Sequence, residues 1–427
     1  MVVGVAGVAG ARRPAPAAGR APAGPRIGLA LAGGGPLGAV WEIGALAALE
    51  EAVPGLDFNA LDGYVGVSAG GVIAAALANG MRPRQVCAAF IEGDAPREDI
   101  IRPSLFFRPA FGELLRRGAA LPGLVALAAF VYLFERRSLM AAFERLGAAL
   151  PTGIFANAPL EARLRKVFSE SGRSNDFRRL ARRLVVVATD LDSGEAAPFG
   201  APGFDHVPIS EAVAASAALP GLFPPRAIGG RWYVDGALKK TLHARVLLDM
   251  GVDLVLCLNP LVPFNAKQTD GHRVLSGADE RIPRLVEGGL PVVLSQTFRS
   301  LIHSRLELGM MGYDRSHPHV DIVLFEPDQR DPEMFLANTF SISQRRRLAE
   351  HAYQRTREML RSRRTVLRSQ LARHGVEIDD AVLDDPHRHL IEKRRPSRRL
   401  GRAVKRLDEV LSDLERALPE IAAAQGR

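Results

Sequence analysis

The chain has 427 residues, 47% of them hydrophobic and 24% charged, a balance that excludes overall disorder and allows one large core or two modest ones. Two cysteines, Cys87 and Cys257, exclude a disulfide framework; each sits in an apolar run and reads as a buried free thiol in a reducing compartment. The net charge of +9 is uneven: from Arg345 onward 21 Lys/Arg face 13 Asp/Glu, a surplus of 8, so the first 344 residues are nearly neutral.

In chain order, residues 1–25 are Ala, Gly and Pro with a few Arg. Their apolar part precedes the charges, the wrong order for a secretory signal, and they read as a disordered extension or a misassigned start. "IGLALA" (27–32) predicts a strand, "GGGPLG" (33–38) a glycine loop, and the following stretch a helix that stops at Pro54–Gly55. "YVGVS" (64–68) predicts a short buried strand, and "AGGVIAAALANG" a small-residue helix closed by Gly80. Residues 96–150 break the alternation and read as an insertion. Within it, Leu121–Phe134 is apolar but too short to span a membrane, and it starts with a Pro-Gly break. Arg116, Arg117, Arg136 and Arg137 flank it, so it suits either an interfacial position or burial against the core.

Further strands are predicted at 184–190, at "RWYVD" ending in Asp235, at 254–259 and at 321–326. Apolar strands alternating with helices argue for a three-layer α/β/α fold around a largely parallel sheet. Residues 343–375 read as one long basic helix, capped by Ser343 and ended by Gly375. A second, from Ser397, places Leu400, Val404, Leu407, Leu411, Leu414 and Leu418 on one seam. The expected organisation is an extension over 1–25, a domain over 26–342 and a basic helical region over 343–427. That basic region suits an anionic membrane surface or nucleic acid, or a solvated helix face.

Two glycine motifs carry chemistry. Gly33, Gly35 and Gly38 satisfy G-x-G-x-x-G between a strand and a helix, the context of a dinucleotide site. That reading needs an acidic residue at the end of the second strand, where this chain has Ser68. "GVSAG" (Gly66, Ser68, Gly70) is a G-x-S-x-G at a strand–helix junction, which pushes a serine hydroxyl out above a sheet; the alternative is a helix-capping serine. A nucleophilic serine needs a base. His206, His243, His303, His317 and His319 lie in no recognisable local motif. Asp235–Gly236–Ala237 ends a strand with a carboxylate able to approach a hydroxyl, and neighbouring Trp232 and Val234 are expected to desolvate it; the alternative is a turn aspartate. No His/Cys/Asp cluster has metal-ligand spacing.

Glycine loop, G-x-S-x-G and Asp-Gly-Ala, in this order, resemble the patatin-like phospholipase family. "FANAPL" (155–160), "ATDLDSGE" (188–195) and "ASAALPGLFPP" (215–225) extend the resemblance over about 27–325. It implies a Ser–Asp dyad with Ser68 as nucleophile, Asp235 as base, and the amides of Gly33, Gly34 and Gly35 as oxyanion hole. It also implies a lipid or phospholipid substrate and no cofactor. The family usually carries Arg or Lys just before the last glycine of the loop, where this chain has Leu37, so head-group preference is open. The expected location is cytoplasmic, with peripheral attachment to anionic membrane, and nucleic acid is not an expected partner. A lipid-binding scaffold with a vestigial site and an acyltransferase are the competing functions.

Overall fold

A computed structural model of the chain describes residues 24–102, 104–105, 108–134, 150–265, 285–336 and 342–391. The described residues to Leu390 form one compact unit. The seam of Leu400 to Leu418, residues 1–23 and residues 135–149 lie outside the described residues, as do the side chains of 126–134.

Eight strands form one sheet: β1 (Ile27–Leu31), β2 (Gly63–Gly66), β3 (Arg183–Asp190), β4 (Ala196–Phe199), β5 (Arg226–Ile228), β6 (Arg231–Asp235), β7 (Leu254–Leu258) and β8 (Asp321–Phe325). They run in the order β5-β6-β3-β2-β1-β7-β8, with β4 paired to β3. β3, β2, β1, β7 and β8 are mutually parallel, whereas β4, β5 and β6 join by antiparallel pairing. β4 and β5 are not among the predicted strands. Both are short, and β4 contains Pro198, so neither offers a run with a readable period.

The parallel strands read as unbroken apolar runs because both of their faces are buried. On one face Ala30, Val65, Val185, Val187 and Val255 pack with Leu247, Leu248 and Leu306. The other face carries α1 (Gly35–Ala52) and α2 (Ala69–Ala78), where Gly71 approaches Val186. Helix α1 is buried nearly all round, because the helix Ile342–Ser362 lies along its outer side. Their backbones touch at Gly44, where a Cβ would lie 2.5 Å from the Ala349 carbonyl oxygen and 2.8 Å from Ala352 Cβ. Tyr353 Oη also donates to Glu51 at 2.7 Å.

Three boundaries differ from expectation. The predicted helix over 343–375 is two, Ile342–Ser362 and Arg364–Ala372, and Ser343 lies inside the first instead of capping it. The break falls at Arg363, whose guanidinium donates to the Leu324 carbonyl at 3.0 Å, a tertiary contact with no sequence signature. Gly375 does turn the chain, at φ +69°. The Pro122–Gly123 pair does not interrupt structure: helix Phe111–Phe134 continues through it. No described helix is long and apolar enough to cross a membrane.

Candidate functional site

Ser68 occupies the turn between β2 and α2, at φ 52° and ψ −119°, a region that non-glycine residues rarely enter. The flanking glycines make this turn fit. A Cβ on Gly66 would sit 2.6 Å from Gly71 Cα, and one on Gly70 would overlap the Ala32 carbonyl oxygen. The side chain of Ser68 makes no capping hydrogen bond, which removes the helix-cap alternative. Its amide is pinned instead: Ser68 N–H donates to Ser216 Oγ at 2.8 Å, and that hydroxyl donates to the Val187 carbonyl at 2.6 Å. Ser216 is fully buried. It lies in the "ASAALPG" stretch noted in the sequence, but nothing there marks its role.

Asp235 closes β6. Its amide donates to Ala218 O at 3.0 Å, and its carbonyl accepts from Thr189 Oγ1 at 3.2 Å. The next residue must be glycine, because a Cβ on Gly236 would overlap the Val187 carbonyl oxygen. Asp235 is 3% exposed, and burial pushes its pKa up to about 6; the Ala237 amide and the Ser68 hydroxyl oppose the rise by favouring the charged form. The turn alternative is thus also true of this residue, since Asp235 Oδ1 accepts from Ala237 N–H at 2.8 Å. One expectation needs correction. Trp232 and Val234 are not set to desolvate the carboxylate, because strand alternation turns them to the opposite face, and Trp232 is exposed.

The glycine loop completes the site. A Cβ on Gly33 would lie 3.3 Å from Ser68 Cβ and 3.3 Å from Ala237 Cβ, so its backbone sits between the two other motifs. Gly34 and Gly38 press against Pro260, which follows β7, at 2.9 Å from their would-be Cβ positions. The N–H groups of Gly33, Gly34, Gly35 and Ala69 donate to no acceptor among the described residues. The first and last of these flank Ser68, at the N-terminal ends of α1 and α2, where helix dipoles favour negative charge.

The histidines scatter. His206 and His319 are exposed, His317 meets Ser316, and His303 meets Gln329 and Glu326. His243 is the exception. It is buried at φ 46°, and burial pushes its pKa down to about 4, opposed by the Gly236 and Lys240 backbone. It therefore backs the Asp235–Gly236 turn as a neutral ring. Glu42 is fully buried on α1; burial holds its pKa well above the usual carboxylate value, opposed by the Ala32 backbone amide. Cys87 and Cys257 are buried free thiols pushed up to about 12. Among the described residues no group of three His, Cys, Asp or Glu is placed to hold a metal ion.

A hydroxyl on a strained strand–helix turn, a buried carboxylate facing it and a row of free amides suit acyl transfer on a parallel α/β sheet. The chain belongs to the patatin-like phospholipase family, whose profile matches residues 29–248. Among solved structures, VipD from Legionella pneumophila is similar at 16% identity, with 80% of this chain and 67% of VipD covered and a TM-score of 0.37. The type III effector ExoU is similar at 17% identity, covering 80% of this chain and 54% of ExoU, with a TM-score of 0.32. Full-length ExoU in complex with SpcU from Pseudomonas aeruginosa gives 17% identity, 80% and 53% coverage and a TM-score of 0.31. The chain thus spans about half the length of ExoU.

Proposed function

We propose that the protein is a lipid acyl hydrolase that cleaves carboxylic esters through an acyl-Ser68 intermediate. The observation that carries this reading is the meeting of three separate motifs, with the Gly33 backbone 3.3 Å from both Ser68 and Ala237 when measured to a Cβ built on it. Asp235 takes the hydroxyl proton as Ser68 Oγ bonds to the ester carbonyl carbon. The carbonyl oxygen becomes an oxyanion, held by the amides of Gly33, Gly34 and Gly35. Collapse breaks the C–O bond, and the leaving alcohol takes the proton from Asp235. Water then gives a proton to Asp235 and attacks the acyl carbon; the second collapse releases the carboxylic acid, and Ser68 recovers its proton. No step calls for a cofactor. Family membership supports a lipid as the acyl donor.

Fluorophosphonate labelling followed by hydrolysis of a lipid panel tests this. The expected result is a single adduct on Ser68, free fatty acid as product, and loss of both in Ser68→Ala. A folded wild-type protein that resists the label would overturn the reading in favour of a scaffold. Esters formed from an added alcohol in preference to free acid would identify an acyltransferase instead.

A further inference from the structure

The helix that returns the chain from β7 to β8, Gly289–Ser316, is mostly exposed: among its described side chains Leu306 is buried, and Gln296, Arg299, Ile302 and His303 on the same side are half-buried. Its inner side is tied to the candidate site's surroundings. Gln296 bonds both the amide and the carbonyl of Phe264, at 3.1 and 2.8 Å, and Arg299 donates to the Val262 carbonyl at 3.2 Å. Leu306 joins the core. Because β7 and β8 are parallel, the connecting helix runs against them, and its N-terminal half lies at the strand ends that carry Gly33 and Ser68.

The outer side is apolar at helical spacing. Leu290, Leu294, Phe298 and Leu301 follow one another at four, four and three residues, with relative exposures of 69%, 44%, 39% and 58%. Val286, in the turn before the helix, extends the stripe at 69% exposure. One step further along the same stripe stands Arg305, whose guanidinium reaches the Leu238 carbonyl at 3.1 Å. Leu238 belongs to the turn that begins at Asp235, and the next two residues are Lys239 and Lys240, both exposed. Exposed side chains of this size on one stripe mark an interaction surface, and the three cations at its Arg305 end outnumber the one exposed carboxylate, Glu287, beside Val286.

We propose that this stripe is a membrane-docking surface for anionic phospholipid: Leu290, Leu294 and Phe298 enter the acyl boundary while Arg305, Lys239 and Lys240 meet lipid phosphates. This rests on the hydrolase reading for its purpose, since it brings the mouth beside Ser68 to the lipid from which an acyl chain must be drawn. The geometry is that of an interfacial helix, which lies in the surface with its apolar side down and basic side chains at the head groups. It assigns docking to the described crossover helix, independently of the basic C-terminal region.

Sedimentation of the Ser68→Ala protein with vesicles tests the surface without any turnover. One set of vesicles is phosphatidylcholine alone, the other contains phosphatidylglycerol as well. Binding to the second set is expected, falling as salt screens the cations. Leu294→Glu/Phe298→Glu, which places two carboxylates on the stripe, is expected to lose more than about tenfold in vesicle binding, because each change removes apolar contact with the acyl boundary and adds repulsion from anionic lipid. In the Ser68-containing protein the same pair should leave hydrolysis of a monomeric short-chain ester unchanged. Lys239→Gln/Lys240→Gln should reduce the preference for phosphatidylglycerol. Vesicle binding that the double glutamate variant retains in full would overturn the surface. Vesicle binding by a protein that cleaves no ester would sink the hydrolase reading and leave the surface standing.

Discussion

Ser216 holds Ser68 by its backbone: the Ser68 amide donates to Ser216 Oγ, 2.8 Å away, and the same hydroxyl donates to Val187 O. The strained turn is therefore anchored to β3, the strand that also pairs with Asp235 through Ala188. Ser216→Ala should strand a buried amide and a buried carbonyl, each a loss of about 1–3 kcal/mol. The expected outcome is a lower melting temperature and roughly tenfold lower kcat, with fluorophosphonate labelling slowed but still on Ser68. An unaltered labelling rate would mean the turn holds its shape without this anchor.

Ser68 itself separates stability from activity. At φ 52° and ψ −119° the backbone carries strain that glycine does not feel. Ser68→Gly should abolish labelling and hydrolysis yet raise the unfolding free energy by about 1 kcal/mol. Chemical denaturation beside a labelling gel reads both effects, and a destabilised glycine variant would show that the turn is unstrained.

Asp235 links the chemistry to pH. Its carboxyl binds a proton more tightly in the folded chain, with a pKa of about 6, than in the unfolded one, near 3.8. Its contribution to stability is accordingly full below pH 3.8 and is lost as the pH rises to about 6. Asp235→Asn should recover up to about 3 kcal/mol at pH 7 while lowering kcat by several orders of magnitude. His243, pushed down to about 4, has the opposite sign, losing stability as the pH falls from 6.5, so the difference between wild type and variant isolates Asp235. In the wild type kcat/KM should drop below about pH 6. A pH profile flat to pH 4.5 would exclude Asp235 as the base.

The strands that hold these residues were legible because burial on both faces leaves them as unbroken apolar runs, as in β1, β3 and β7. The motif glycines were legible for a related reason: Gly66, Gly70 and Gly236 stand where any Cβ meets backbone, and such a constraint writes itself into the chain. What escaped reading depends on partners distant in sequence. Ser216 is one buried serine among alanines until Ser68, 148 residues away, is folded against it. Glu42 gives no sign in its helix that both faces of that helix are covered. Arg363, where the helical pattern breaks, bonds to a carbonyl 39 residues earlier.

Gly34 tests the proposed oxyanion role of the glycine loop. An added methyl would lie 2.8 Å from Gly38 Cα and 2.9 Å from Pro260 Cγ, so the loop must shift. Gly34→Ala should lower kcat by about 10²–10³ with little change in KM, the signature of a donor aimed at the transition state. Steady-state kinetics on a soluble ester decide it; a rise in KM alone would assign the loop to substrate binding.

Gly44 lies far from Ser68 in function but on the helix that the glycine loop begins. Gly44→Ala forces a Cβ to within 2.5 Å of the Ala349 carbonyl and should cost about 1–3 kcal/mol of stability. Calorimetry reads this directly, and an unchanged melting temperature would show that the two helices can part without loss.

That helix contact also sets an order of assembly on the ribosome. By residue 248 the emerging polypeptide already contains Ser68, Asp235 and the whole glycine loop, yet the outer side of α1 is covered only when Leu348, Ala349 and Ala352 have been made. A nascent chain halted in between would contain Ser68, Asp235 and the glycine loop while α1 still had one apolar side open to solvent. The glycine loop, Ser68 and Asp235 are thus made before the helix that covers α1, an order built into where the covering helix falls in the chain.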